Sequence, residues 1–190
     1  MSDEPVEKLK RRIEEMLVRS LFPEEPFHSI NTLEWVLRLM PGADEALQIA
    51  ALGHDIERAD GERRVQAAGY NTYKQYKEAH ARNSAQILSE LMEEAGIHER
   101  LTDDVARLVA HHEFGGNERE EVLKNADTIS FFQVCLPLYY DRNGAGRTRK
   151  RLVWGYRKLP PELRRLVNDM ELMDLRLEEL VRESTTQQGD

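Results

Sequence analysis

The chain has 190 residues, with 27 basic and 35 acidic side chains and a formal net charge of −8. That length fits one domain with a substantial core, and the 40% hydrophobic and 33% charged residues exclude a disordered chain. The acidic balance argues against a dedicated nucleic-acid or anionic-membrane binder, since no large face could neutralise a phosphate backbone.

Helical periodicity runs through the chain. Val6, Leu9, Ile13, Leu17 and Leu21 recur at three- and four-residue steps and predict an amphipathic helix ended by Pro23. A second helix is expected from Phe27 to Met40, stopped by Pro41-Gly42. A third, Asp44 to Arg58, has the centre ALQIAALGHDIE, apolar nearly all round, which predicts a buried helix in the middle of the domain. Ala59 to Thr72 reads as a loop, Tyr73 to Ala95 as a long helix capped by Gly96, and Leu101 to His112 as the next helix. A turn at Phe114–Asn117 leads into a helix from Arg119 to Tyr140. The run DRNGAGRTRKR, Asp141 to Arg151, is basic and glycine-punctuated and is expected to be a loop, followed by a short helix to Leu159. Pro160-Pro161 opens a last amphipathic helix through Leu180.

With no strand pattern and no repeat, the expectation is an all-α, single-domain helical bundle. An N-terminal helix over 1–23 packs on a core at 24–140; a basic loop and C-terminal helices fill 141–184, and 185–190 form a disordered tail. The lone Cys135 leaves no intramolecular disulfide. The longest apolar stretch, Phe131 to Tyr140, is interrupted by Gln133 and Pro137, and the opening MSDEPVEKLKRR has no apolar signal core. A cytoplasmic protein without membrane contact is expected.

Chemistry concentrates in the histidines. His54 and Asp55 sit inside the most apolar helix, and His111-His112 lies at the inward end of another. Such groups are costly in apolar surroundings unless paired or bound to a cation, and imidazole with carboxylate is the usual ligand set for zinc, manganese and iron. Asp127, in KNADTISFF, poses the same problem on an apolar face. The ordered series His28, His54-Asp55, His80, His111-His112 and Asp127 spreads these ligand types over separate predicted helices. His98 follows a C-cap glycine and reads as a surface residue.

The stretches FHSINTLEWVLRLM, ALQIAALGHDIERAD and NADTISFF resemble the HD-domain superfamily of metal-dependent phosphohydrolases over residues 24 to 132. His80 in EAHARNSAQIL and the pair in LVAHHE resemble the extended histidine set of its binuclear members, and Glu24 sits where some carry a further glutamate. The resemblance implies two divalent ions (Mn, Fe, Zn, Ni or Co) bridged by Asp55. One would take His28, His54 and Asp127, and the other His80, His111 and His112. It implies cleavage of a small phosphate ester or nucleotide by metal-activated hydroxide. After HHE the sequence reads FGGNERE rather than Gly-Tyr-Pro, and Glu57-Arg58 follows the HD pair where the HD-GYP group has lysine, which argues against a cyclic-di-GMP phosphodiesterase.

Arg58 shares a helix face with Asp55 and is the candidate catalytic and phosphate-binding arginine. Arg147 and Arg149, with Arg142, Lys150 and Arg151 around them, are candidates for holding phosphate oxygens. Tyr70, Tyr73, Tyr76, Tyr139 and Tyr140 are candidates for lining a base or sugar pocket. Two other classes remain open: a di-iron HD-domain oxygenase resembling myo-inositol oxygenase, and a non-catalytic metal- or nucleotide-binding module.

Overall fold

A computed structural model describes residues 4–186. Among them the chain is an all-α bundle with no strand. The helices are α1 Glu4–Leu17, α2 Glu25–Leu39, α3 Glu45–Gly53, α4 Tyr73–Glu94, α5 Glu99–His111, α6 Glu118–Ser130, α7 Leu136–Lys158, α8 Pro161–Asn168 and α9 Leu175–Thr186. No helix among the described residues is long and apolar enough to cross a membrane.

Periodicity becomes packing in a direct way. Val6, Leu9, Ile13 and Leu17 are the buried stripe of α1. Asp44 caps α3 by accepting from the Leu47 amide at 2.9 Å, and capping boxes open α4 (Thr72, Gln75) and α6 (Asn117, Glu120). Two apolar clusters form. The larger joins α1 to α5 and the first half of α6, ending at Ala126. The smaller starts at Ile129 and gathers the apolar faces of α7, α8 and α9. Asp127 therefore lies at the seam between them, and Trp35 and Leu39 of α2 touch both.

Four boundaries depart from expectation. The third helix stops at Gly53 rather than Arg58, leaving His54 as its C-cap and a 3₁₀ turn, Ile56–Ala59, beyond. A Cβ at position 53 would stand 2.7 Å from Leu88 Cδ2, so glycine is what lets the end of α3 press against α4. The predicted Arg119–Tyr140 helix is interrupted by a π-helical turn, Phe131–Cys135. The expected basic loop is instead helical: α7 carries straight through Arg147 to Arg151, and its non-helical residue is Gly144, at φ 70°. Arginine and lysine are good helix formers, and one glycine with positive φ absorbs the kink. Finally, the last predicted helix is two, α8 and α9. The second includes 185 and 186, while the rest of the predicted tail, 187–190, lies outside the described residues.

Candidate metal centre

Helix endings aim the histidines. His54 and His112 are the C-caps of α3 and α5. There the last carbonyls lack helical partners, and each imidazole uses one: His54 Nδ1 donates to Ala51 O at 2.9 Å and His112 Nδ1 to Val109 O at 2.7 Å. The Ser130 hydroxyl donates to the His28 carbonyl (3.2 Å) and so accepts from His28 Nδ1, 2.8 Å away. His80 Nδ1 donates to Glu57 Oε1 at 2.7 Å. All four Nδ1 atoms are thus committed outward, which fixes the tautomers and turns four Nε2 atoms toward one centre.

Two carboxylates complete that centre. His28 Nε2 is 3.2 Å from Asp127 Oδ1 and 3.2 Å from His54 Nε2. Asp55 stands between two histidine groups: Oδ1 is 2.7 Å from His80 Nε2 and 3.6 Å from His112 Nε2, while Oδ2 is 3.8 Å from His54 Nε2 and 3.9 Å from His28 Nε2. The ligand atoms of His28, His54 and Asp127 lie within 4.8 Å of one another, as do those of Asp55, His80 and His112. All six residues are buried.

These contacts are of a kind that only a cation or added protons reconcile. Two imidazole nitrogens that both carry lone pairs repel at 3.2 Å, and His112 Nε2 is buried without a hydrogen-bond partner. Burial pulls the His54 pKa down, but Asp55 and Asp127 outweigh it and push it up to about 9. The His80 pKa also rises, because Asp55 and Glu57 outweigh its burial. Burial lowers that of His112. Asp55 and Asp127 stay well below the usual carboxylate range despite burial, held there by Arg58, His54 and His80 in one case and by His28 and His54 in the other. A divalent cation can do what the extra protons do, and the C-terminal ends of α3 and α5 add favourable dipoles. The donor set therefore fits metal, with buried His and Asp groups able to hold it.

A second layer supports these groups. Arg58 Nη1 donates to Glu25 Oε1 at 2.6 Å and forms an ion pair with Asp55 Oδ2 at 2.8 Å. Glu57 also accepts from Asn83 Nδ2 at 2.8 Å and from the Val65 amide at 3.1 Å. Glu113 is buried between two lysines, paired with Lys77 and 3.1 Å from Lys158 Nζ. Its Oε1 is 3.4 Å from His112 Nε2, so with His112 and Asp127 it makes a third group of potential ligands.

Of the residues proposed from sequence, His28, His54, Asp55, His80, His112 and Asp127 converge here. His111 does not: its side chain is 52% exposed and its Nδ1 donates to Arg107 O. His111 is the last residue of α5 and stays on its solvent side, while His112, the C-cap, turns inward. Glu24 pairs with Arg142, and His98 caps α5 by accepting from the Arg100 amide. Arg147 borders a cavity of about 750 Å³ with Arg58 and Lys77, whereas Arg149 turns away to Glu183 Oε2 at 2.7 Å. A separate cavity of about 630 Å³, between α8 and α9, has no histidine in its wall. Sequence reasoning missed Glu57, which braces His80, and Glu113. Each lies beside a quoted motif, but adjacency alone does not tell a brace from a surface acid.

No curated protein and no solved structure matches the chain. A family described as a domain of unknown function, DUF4202, matches residues 6–181, nearly the whole bundle with every residue of the cluster, and the chain belongs to that family.

Proposed function

We propose that this chain is a metal-dependent phosphohydrolase of the HD-domain type, acting on a small phosphate ester or nucleotide. The observation that carries the reading is the convergence of four outward-anchored imidazoles on Asp55 and Asp127. His28, His54 and Asp127 would hold one divalent ion and His80 and His112 a second, with Asp55 reaching both groups. Such ions supply water of lowered pKa and offset the charge that develops on phosphorus.

The chain's own residues do the rest. Glu57 keeps the His80 ring oriented, and Arg58 holds Asp55 from its free side. Arg58 and Lys77 also face the adjoining cavity, where their charge favours a phosphoryl group over a neutral one. Hydrolysis adds a water oxygen to phosphorus and breaks the ester P–O bond, and the departing alkoxide takes up a proton.

The test is a screen of phosphomonoesters and nucleotides with Mn²⁺, Co²⁺, Ni²⁺, Zn²⁺ or Fe²⁺ added to chelator-stripped protein. Turnover that needs a metal and disappears in Asp55→Ala supports the reading. Metal-loaded protein inert on every compound, or turnover that survives Asp55→Ala, overturns it.

A further inference from the structure

The cavity beside the cluster carries more positive charge than one phosphoryl group needs. Arg58, Lys77 and Arg142 in its wall have acid partners. Arg147, Lys150 and Arg151, also in its wall, have none among the described residues. Arg151 is the telling one. It is 8% exposed, its guanidinium carbon lies 4.0 Å from the Phe131 ring centre and 4.8 Å from that of Trp154, and Nη1 is buried with no hydrogen-bond partner. Ring contacts offset only part of the cost of burying a guanidinium. No carboxylate among the described residues lies within ion-pair distance of this guanidinium, which leaves Nη1 open to a bound anion.

Between that arginine and the metal ligands runs a chain of rings. Tyr76 stacks on His80 with centroids 6.3 Å apart, Tyr73 follows at 5.9 Å, and Trp154 meets Tyr73 edge-on at 5.5 Å. All three aromatic residues line the cavity. The same wall holds Glu57 and Arg58, which contact His80 and Asp55 of the cluster, together with the aromatic faces and the cations Arg147, Lys150 and Arg151.

We propose that the cavity selects a substrate with an aromatic ring and a second anionic group, which Arg151 holds together with Arg147 and Lys150 while the scissile phosphate lies at the His–Asp cluster. The placement of the scissile group rests on the phosphohydrolase reading; the ring and second-anion subsite does not.

Two arms keep those readings apart. In the first, chelator-treated full-length Trp35→Phe, in which Trp154 is the sole tryptophan, is titrated with adenosine 5′-monophosphate, ribose 5-phosphate and adenosine while fluorescence is followed. Adenosine 5′-monophosphate is expected to bind at least tenfold more tightly than either fragment. Arg151→Gln and the exposed Arg147→Gln should each weaken it at least tenfold, with unchanged circular dichroism. Equal affinity for all three probes, or unchanged affinity in both variants, overturns the inference. In the second arm, metal-loaded enzyme cleaves p-nitrophenyl phosphate, which has no second anion. Arg151→Gln should raise KM for adenosine 3′,5′-bisphosphate at least tenfold more than it raises KM for p-nitrophenyl phosphate; equal losses on both would overturn the subsite. Ring-dependent binding without turnover of any ester would refute the hydrolase and leave the subsite standing.

Discussion

Arg58→Ala separates a clamp from a bystander. The guanidinium makes two short ion pairs, 2.6 Å to Glu25 and 2.8 Å to Asp55, and both carboxylates are buried while a quarter of the Arg58 side chain is exposed. A hydrogen bond to a charged group contributes ~1.5–3 kcal/mol, the bond to Glu25 is one such, and the ion pair with Asp55 adds to it before solvent screening on the open side lowers the sum. We expect a loss of about 3 kcal/mol, because Glu25 and Asp55 would stay buried with less neutralisation. For a chain of this size that is a fall of roughly 6–12 °C in Tm, read by thermal melting of chelator-treated protein at pH 7. Arg58→Lys keeps the charge but not the fork and should recover about half. Bound metal should persist in Arg58→Ala, since Arg58 is not itself a ligand, while kcat/KM on a phosphate ester falls. A Tm within 2 °C of wild type would show that the clamp contributes nothing and would refute the reasoning.

Metal-free protein should lose stability between pH 7 and pH 9.5 in thermal melts. The His54 pKa is raised to about 9 by Asp55 and Asp127, so its stabilising contribution is complete below its unfolded value and fades as pH rises through about 9; a flat profile would contradict this. Glu113→Gln strands the buried Lys77 ammonium and removes the partner of the half-buried Lys158, and should cost about 3 kcal/mol or more, checked by denaturant unfolding. Gly53→Ala puts a methyl against Leu88 and should cost ~1–3 kcal/mol. Combining it with Leu88→Val in a double-mutant cycle should show coupling above ~0.5 kcal/mol, and strict additivity would rule the contact out.

The helices were legible because apolar residues repeat at helical spacing, and the stripe Val6, Leu9, Ile13, Leu17 is the buried face of α1. The cluster was legible because a histidine–aspartate pair at the end of an apolar run has few physical excuses. What the one-dimensional pattern hid was direction. His111 and His112 are equivalent as text, and only the end of α5 turns one inward. The same limit hid the stop at Gly53, which depends on Leu88 from a distant helix. A run of arginines between glycines looks like a loop, yet α7 uses it as one wall of the cavity. Glu57 and Glu113 belong to the centre through partners more than twenty residues away in sequence, His80 for one and Lys77 and Lys158 for the other, which no local spacing reveals.

Metal content tests the central claim most directly. The full chain, expressed in metal-supplemented medium and purified without chelator, should hold close to two divalent ions by elemental analysis. Asp55→Ala should hold less than half the wild-type amount, and His111→Ala should match wild type because that side chain faces solvent. Protein that binds no metal, or an Asp55→Ala variant that keeps the full complement, would contradict the account.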